Sequence, residues 1–324
     1  LAAARADADA ARVESPNSPL PYVNLADVTF AQGRLDESEQ NLEHALAIDR
    51  TNFQALTGFT KLMAGERRLD AARTRMETLV AEQPNNAALQ FLRAQTYRYG
   101  NDQQAPDPAR AEQALRRAIE IDPDYMQAYS ALGDIYFSTN RTDDAVAEYR
   151  KITERRADDI DAFRKLGLIE SSRQNLDAAQ QYYRRVLEID PDETIAANNL
   201  AMLYADHDKG NGDEAIRLAQ GIVRRFPNDA GFADTLGWVY YKKGLYPAAV
   251  EQLQKAVAGA VATNGDNSLY RYHLGMALNS KGDKTGARRE LQKSLALFDQ
   301  EQQRPVKSPT STPVDEARRV LASL

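Results

Sequence analysis

The chain has three histidines, His44, His207 and His273, and no cysteine, which removes thiol chemistry and disulfides from consideration. The nearest approach to a metal-ligating group is Asp206-His207-Asp208 with Asp213. Calcium loops space their acids around a glycine, and this segment does not, so it reads as a solvated inter-helix loop and no metal is expected. No glycine-rich phosphate cradle, nucleophile elbow or His-x-x-x-His pair occurs. The 47 Asp and Glu residues are spread along the chain, as carboxylates on the solvated faces of amphipathic helices are. No catalytic residues can be named, so neither an enzyme nor a cofactor is expected. What the chain does must lie in a surface.

The elements that would build that surface announce themselves by repetition. Pro16, Pro84, Pro123, Pro191 and Pro227 fall 68, 39, 68 and 36 residues apart, close to multiples of 34. A second series of small residues keeps the same beat: Ser38, Ala72, Ala111, Ala145, Ala179, Ala215, Ala249 and Ala287. A helical period of 34 marks a stacked two-helix unit, so length here counts repeats rather than cores. Eight repeats are read, at 19–52, 53–86, 87–125, 126–159, 160–193, 194–229, 230–263 and 268–301. In residues 126–159, Tyr129, Leu132, Gly133 and Tyr136 form one stripe of a first helix. Ala145, Tyr149 and Ile152 mark the second helix, with Thr142 expected as its N-cap. Sustained period-2 patterning is absent, so no sheet is expected.

Composition narrows the partners. With 43% hydrophobic and 27% charged residues the 324-residue chain is an ordinary folder. Its 41 Lys and Arg are dispersed and its net charge is -6, so no basic stripe for nucleic acid is expected. No apolar run approaches the roughly 20 residues of a membrane-spanning helix. The absence of cysteine suits a reducing compartment or an exported protein alike, and the first residue is Leu1, so a targeting segment could have been removed.

These repeats resemble the tetratricopeptide repeat (TPR), with aromatic, Leu, Gly and Tyr in the first helix and Ala, aromatic, Ala and Pro in the second. Position eight is small throughout: Ala26, Thr60, Ala94, Gly133, Gly167, Ala201, Gly237 and Gly275. Repeat three is irregular, with Arg93 at position seven and five extra residues around Gln104-Ala105-Pro106-Asp107-Pro108, which predicts a soft point with fast hydrogen exchange near residues 99–110. The resemblance implies an all-α, right-handed superhelix (α-solenoid) of about eight helix-turn-helix repeats over 19–301. Residues 1–18 match a lone second helix, with Ala4, Ala8 and Ala11 in phase, and so read as a half repeat from a longer array. A Pro/Ser/Thr linker at 302–313 leads to a capping helix at 314–324 with Val314, Ala317, Val320, Leu321 and Leu324 on one face.

In TPR arrays, first helices line a concave groove through positions two, five, nine, twelve and thirteen. By that resemblance the partner-binding residues include Asp134, Phe137, Arg164, Leu168, Asn198, Met202, Asp234, Trp238, Tyr241, Tyr272 and Met276. The aromatic stretch of repeats seven and eight is expected to carry the anchors, since Trp and Tyr bury large area with few rotors; the alternative is that Trp238 and Tyr241 pack between helices. One TPR subtype clamps a peptide's C-terminal carboxylate with Lys, Arg and Asn; Arg164, Lys165, Asn198 and Asn199 occupy the corresponding helices, but Leu168 stands where that pattern has Asn.

Asn198-Asn199-Leu200-Ala201, Asp234-Thr235-Leu236-Gly237-Trp238 and Tyr272-His273-Leu274-Gly275 are similar to the C-terminal repeats of bacterial TPR proteins, including lipoproteins of exosortase (PEP-CTERM) and polysaccharide-export systems. The expected function is therefore a non-enzymatic scaffold that holds a protein or peptide in its groove within a bacterial assembly. A periplasmic or envelope-associated site is favoured over a cytoplasmic one. The competing readings are the regulatory or substrate-recruiting arm of an enzyme whose catalytic domain lies outside this chain, and a purely structural spacer or self-associating array, with self-association expected through the exposed N-terminal half repeat.

Overall fold

A computed structural model describes residues 1–100, 105–207, 211–263, 265–303 and 313–324. Among these residues there are eighteen α-helices and no strand. Most are 13 or 14 residues long, a length at which an isolated helix is marginal in water. They persist because each buries a face on its neighbours.

The chain divides into two compact units, Leu1–Ala162 and Phe163–Leu324. The first holds α1 (Ala2–Glu14), α2 (Pro19–Ala31), α3 (Leu35–Ile48), α4 (Phe53–Gly65), α5 (Leu69–Glu82), α6 (Ala87–Arg98), α7 (Pro108–Ile121), α8 (Met126–Ser138) and α9 (Thr142–Arg155). The division falls within α10 (Ile160–Ser172). The second unit continues with α11 (Leu176–Ile189), α12 (Thr194–Asp206), α13 (Gly212–Arg225), α14 (Ala230–Lys242), α15 (Tyr246–Thr263), α16 (Ser268–Lys281), α17 (Lys284–Gln302) and α18 (Val314–Ser323). Within each unit a first helix packs on its own second helix and also on the first helix of the adjacent repeat, as α4 does on α2 and α6, and α14 on α12 and α16. That second contact aligns first helices into one face.

The small residues of the Ser38 to Ala287 series and of position eight are the reason the helices approach so closely. All eight of the series from Ser38 to Ala287 are buried. A methyl group on Gly133 would lie 2.7 Å from the Tyr149 ring, and one on Gly275 would lie 2.6 Å from Leu291. Those separations are closer than packed carbon atoms tolerate, so second-helix aromatics and leucines use the glycines as seats. Asparagine and aspartate begin several first helices: Asn52, Asn86 and Asp229 accept from the backbone N–H of Ala55, Leu89 and Phe232. Each such cap contributes about 1 kcal/mol.

A feature of the turns escaped the sequence. Gly33, Arg67, Asn140, Gln174, Gly244 and Gly282 all have positive φ, and all occupy position fifteen of their repeats. The turn geometry demands a left-handed residue there, and in three repeats a residue with a side chain accepts the strain.

Two local expectations are corrected. Thr142 is the first residue of α9 rather than its cap; Arg141 stands before it without a side-chain cap bond, and Asp143 and Asp144 supply favourable charge in the first turn. Arg93, at position seven of α6, donates its Nε to Glu77 Oε1 at 2.8 Å, which satisfies the charge that breaks the apolar stripe there. The helix α17 runs through Gln302, one residue into the expected linker. Residues 101–104 of the long turn in repeat three, and 304–312 of the linker, lie outside the described residues. At the N-terminus α1 packs on α2 and is tied to α3 by Arg5 and Glu37 at 2.7 Å. Of its in-phase alanines Ala8 is buried, Ala11 is half-buried and Ala4 is exposed.

Candidate functional site: an open groove and a covered one

In the first unit the aligned first helices α4, α6 and α8 leave an open cavity of about 600 Å³. Its walls include Thr57 and Lys61 from α4, Phe91, Gln95 and Arg98 from α6, and Ser130 and Asp134 from α8. These fall on the repeat positions that the TPR resemblance assigns to the groove. Phe53 and Tyr99 complete an aromatic rim at 38% and 51% exposure. The Phe53 and Phe91 rings stack with centroids 6.4 Å apart, and Phe91 meets Tyr125 edge-on at 5.4 Å, which fixes the Phe91 ring.

Charge is placed at both sides of this apolar strip. Lys61 Nζ lies 4.7 Å from the centre of the Phe30 ring. Opposite, Arg98 Nη2 donates to Asp134 Oδ2 at 3.3 Å, and Tyr149 donates its hydroxyl to Asp134 Oδ1 at 2.6 Å. Burial, with the hydrogen bond to the Asp134 carboxylate, pushes the Tyr149 hydroxyl well above its ordinary pKa, so it stays a donor. A larger cavity of about 690 Å³ lies between α3 and α5, but the Glu43–Arg75 pair and Asp70 and Arg50 make its lining charged, and no first-helix residue lines it.

The second unit treats the same positions differently. Trp238 is only 7% exposed. Its indole Nε1 donates to Asp206 Oδ1 at 2.8 Å, and its ring stacks on His273 at 4.0 Å and on Tyr241 at 4.7 Å. His273 Nδ1 lies 2.9 Å from both carboxylate oxygens of buried Asp234. Tyr272, 1% exposed, donates its hydroxyl to Glu316 Oε2 of α18 at 2.7 Å. Met276 is buried as well. The residues expected as anchors, Trp238 and Tyr272, together with Asp234 and Met276, therefore form a core layer with no free face; Tyr241 is half-buried beside them. The physical reason is size: two aromatic side chains at adjacent groove positions fill the space that smaller residues leave open in the first unit.

The other expected groove residues are dispersed. Asp134 stands in the wall of the open cavity, whereas Phe137 and Leu168 are exposed on α8 and α10 outside its lining. Asn198 and Met202 are half-buried on α12. The clamp arrangement does not assemble: Arg164 Nε points to Glu193 Oε1 at 4.0 Å, and Asn199 Nδ2 donates to Tyr183 at 3.3 Å. Asp206, exposed at the end of α12, accepts from Trp238 and pairs with Lys242, and Asp208 lies outside the described residues. Among the described residues no cluster of three metal-ligating side chains exists, and no helix is long and apolar enough to cross a membrane. Phe53, Lys61, Phe91 and Tyr99 are absent from the sequence-based site. All but Phe53 sit at the groove positions, so the same rule applied to repeats two and three would have found them.

An all-helical chain of two-helix repeats whose first helices form a groove defines the α-solenoid class of binding proteins. The tetratricopeptide repeat family model matches residues 29–96, 103–168, 164–230 and 235–302, and the chain belongs to that family. Among solved structures, the APC/C hetero-tetramer Cut9–Hcn1 is similar with a TM-score of 0.60 at 16% identity over 95% of this chain. The chain spans 56% of the length of that relative. The pilF protein of Pseudomonas aeruginosa is similar with a TM-score of 0.50 at 19% identity over 65% of this chain and 89% of its own. No curated protein sequence matches the chain.

Proposed function

We propose that this protein is a non-enzymatic scaffold that holds a protein or peptide segment in the first-helix groove of its N-terminal unit. The observation that carries the reading is the open cavity of about 600 Å³ edged by Phe53, Phe91 and Tyr99 and flanked by Lys61 and the Arg98–Asp134 pair. Exposed aromatics around a concave floor supply apolar burial, and charges at the margin set the orientation of what binds. The partner is a protein rather than a nucleic acid, because the cations here are interleaved with carboxylates and the net charge is -6. The setting we infer, a multi-protein assembly of the bacterial envelope or of export, rests on the resemblance of residues 198–275 to repeats of such proteins. Fractionation of cells producing the native protein tests that setting: recovery in the cytosolic fraction alone would remove it.

The groove itself is tested by selecting peptides from a displayed random library on the intact chain and measuring their affinity by calorimetry. Truncating a central interface aromatic costs about 2 kcal/mol or more. Phe91→Ala and Tyr99→Ala should each weaken the selected peptides at least about tenfold while helix content holds. Peptides that bind both variants as tightly as the parent would place the binding site elsewhere.

A further inference from the structure

We propose that α18 is an exchangeable occupant of a second interaction surface, formed by α17 together with Tyr272 of α16, and that this surface takes partner helices built as α18 is: a carboxylate in the first turn, a small residue beside it, and an apolar end. The surface is separate from the first-unit groove and the inference stands without it.

The first observation is how little holds α18. It is ten residues long, below the roughly 12–15 residues at which an isolated helix becomes even marginally stable. It is helical because of what it lies on. Ala317 is its one buried residue, at 0% exposure, while Val314, Val320, Leu321 and Leu324 are half-buried along the same side. Its neighbour α17 buries Gly286, Ala287, Glu290, Leu291 and Ser294. Segments with few buried contacts occupy the low end of a protein's local stability range and open without global unfolding.

The second observation is what lies beneath. The polar tie is the hydrogen bond donated by Tyr272 on α16 to Glu316 at 2.7 Å. Burial, followed by the Glu316 carboxylate, raises the Tyr272 hydroxyl, and burial with a contribution from Glu316 raises Tyr241 on α14. Glu316 thus sits over both tyrosines, and Tyr241 in turn stacks on Trp238. A floor of Tyr and Trp is the composition that concentrates binding energy at interfaces. A tyrosine hydroxyl held as a donor selects a carboxylate, and the full burial of Ala317 favours a small residue at that position. The exchange is a competition: the tethered helix acts at an effective concentration on the order of millimolar, so a partner helix enters when it binds more tightly or when the hold of α18 is weakened.

The test uses the full chain and, as probe, a fluorescein-labelled synthetic peptide of residues 314–324 followed by anisotropy. Glu316→Lys in the chain changes an exposed residue and removes the tie, so the probe should bind at least about tenfold tighter than it does to the parent, the effect of losing one charge-assisted hydrogen bond from the competitor. Hydrogen exchange of α18 should accelerate by a similar factor with α16 and α17 unchanged. A probe carrying Glu316→Lys should lose that affinity. Tyr272→Phe keeps the ring and removes the donor, so α18 should again exchange faster while the probe gains nothing. The proposal is overturned if α18 of the parent exchanges as slowly as α17, if Glu316→Lys leaves probe affinity unchanged, or if the charge-reversed probe binds equally well.

Discussion

The groove positions of the two units carry different side chains and reach opposite outcomes. At positions five and nine of the first unit stand Thr57, Phe91 and Ser130 with Lys61, Gln95 and Asp134, and a cavity remains open between α4, α6 and α8. At the same positions of repeats seven and eight stand Asp234 and Tyr272 with Trp238 and Met276, all buried, and Tyr272 is tied to α18 through Glu316. Aromatic density along a groove is therefore not a measure of its availability. At these positions Trp238 and Tyr272 meet with ring centroids 6.0 Å apart, whereas in the first unit the Phe53–Phe91 stack, at 6.4 Å, stands beside Lys61, Gln95 and Ser130 in the wall of a cavity that stays open.

The strongest way to break this comparison is Trp238→Ala. Removing a buried indole typically costs about 3–5 kcal/mol, and here Asp206 also loses its donor. Urea unfolding of the C-terminal unit should shift by that amount; a change under about 1 kcal/mol would mean the ring is surface, and the two grooves would be alike after all. Gly275→Ala comes next. Alanine is the better helix former by about 1 kcal/mol, yet its methyl would press on Leu291 at 2.6 Å. Overpacking of that kind costs about 1–3 kcal/mol, so a net loss of stability is expected in thermal melts. A gain would show that the close approach of α16 and α17 is relaxed in solution.

A titration tests whether both units are held by the same second-helix and first-helix tyrosine packing. Burial, with Glu112 as acceptor, pushes Tyr136 in the first unit to about 12, and burial pushes Tyr183 in the second to about 12. Both folded values exceed the unfolded value near 10. The neutral form is the one favoured by folding, so this stability is fully present below about pH 10 and is lost as pH rises toward 12. Melting temperature should be flat with respect to these groups at neutral pH and fall in that alkaline window. Tyr183→Phe should remove the part of the decline that belongs to Tyr183 and leave the part carried by the other buried tyrosines. The smallest effect is at the turns: Gln174→Gly relieves a left-handed glutamine at φ 63 and should stabilise by about 0.5 kcal/mol, since the strain of roughly 1 kcal/mol is offset in part by the flexibility of glycine in the unfolded chain. Equal or lower stability would show that the turn tolerates the side chain without strain.

The periodicity of prolines and small residues determined the repeats, the helix pairs and the close contacts at position eight, because these depend on residues 34 apart recurring in the same local environment. The start of the second helix in residues 126–159 was placed one residue late, with Thr142 as cap, because the cap position carries arginine, a residue that does not signal a helix start. The left-handed residue at position fifteen was hidden, because Arg67, Asn140 and Gln174 do not announce a conformation that glycine would have signalled. The groove rule was legible too, and it placed Asp134 in the wall of the cavity. What the sequence alone could not decide was which stretch of groove is open. That depends on whether side chains from α14 and α16 meet each other, whether Asp206 reaches the indole of Trp238, and whether a helix more than forty residues beyond Tyr272 returns to lie upon it. Those are contacts between residues distant in the chain, and only the packed structure brings them together.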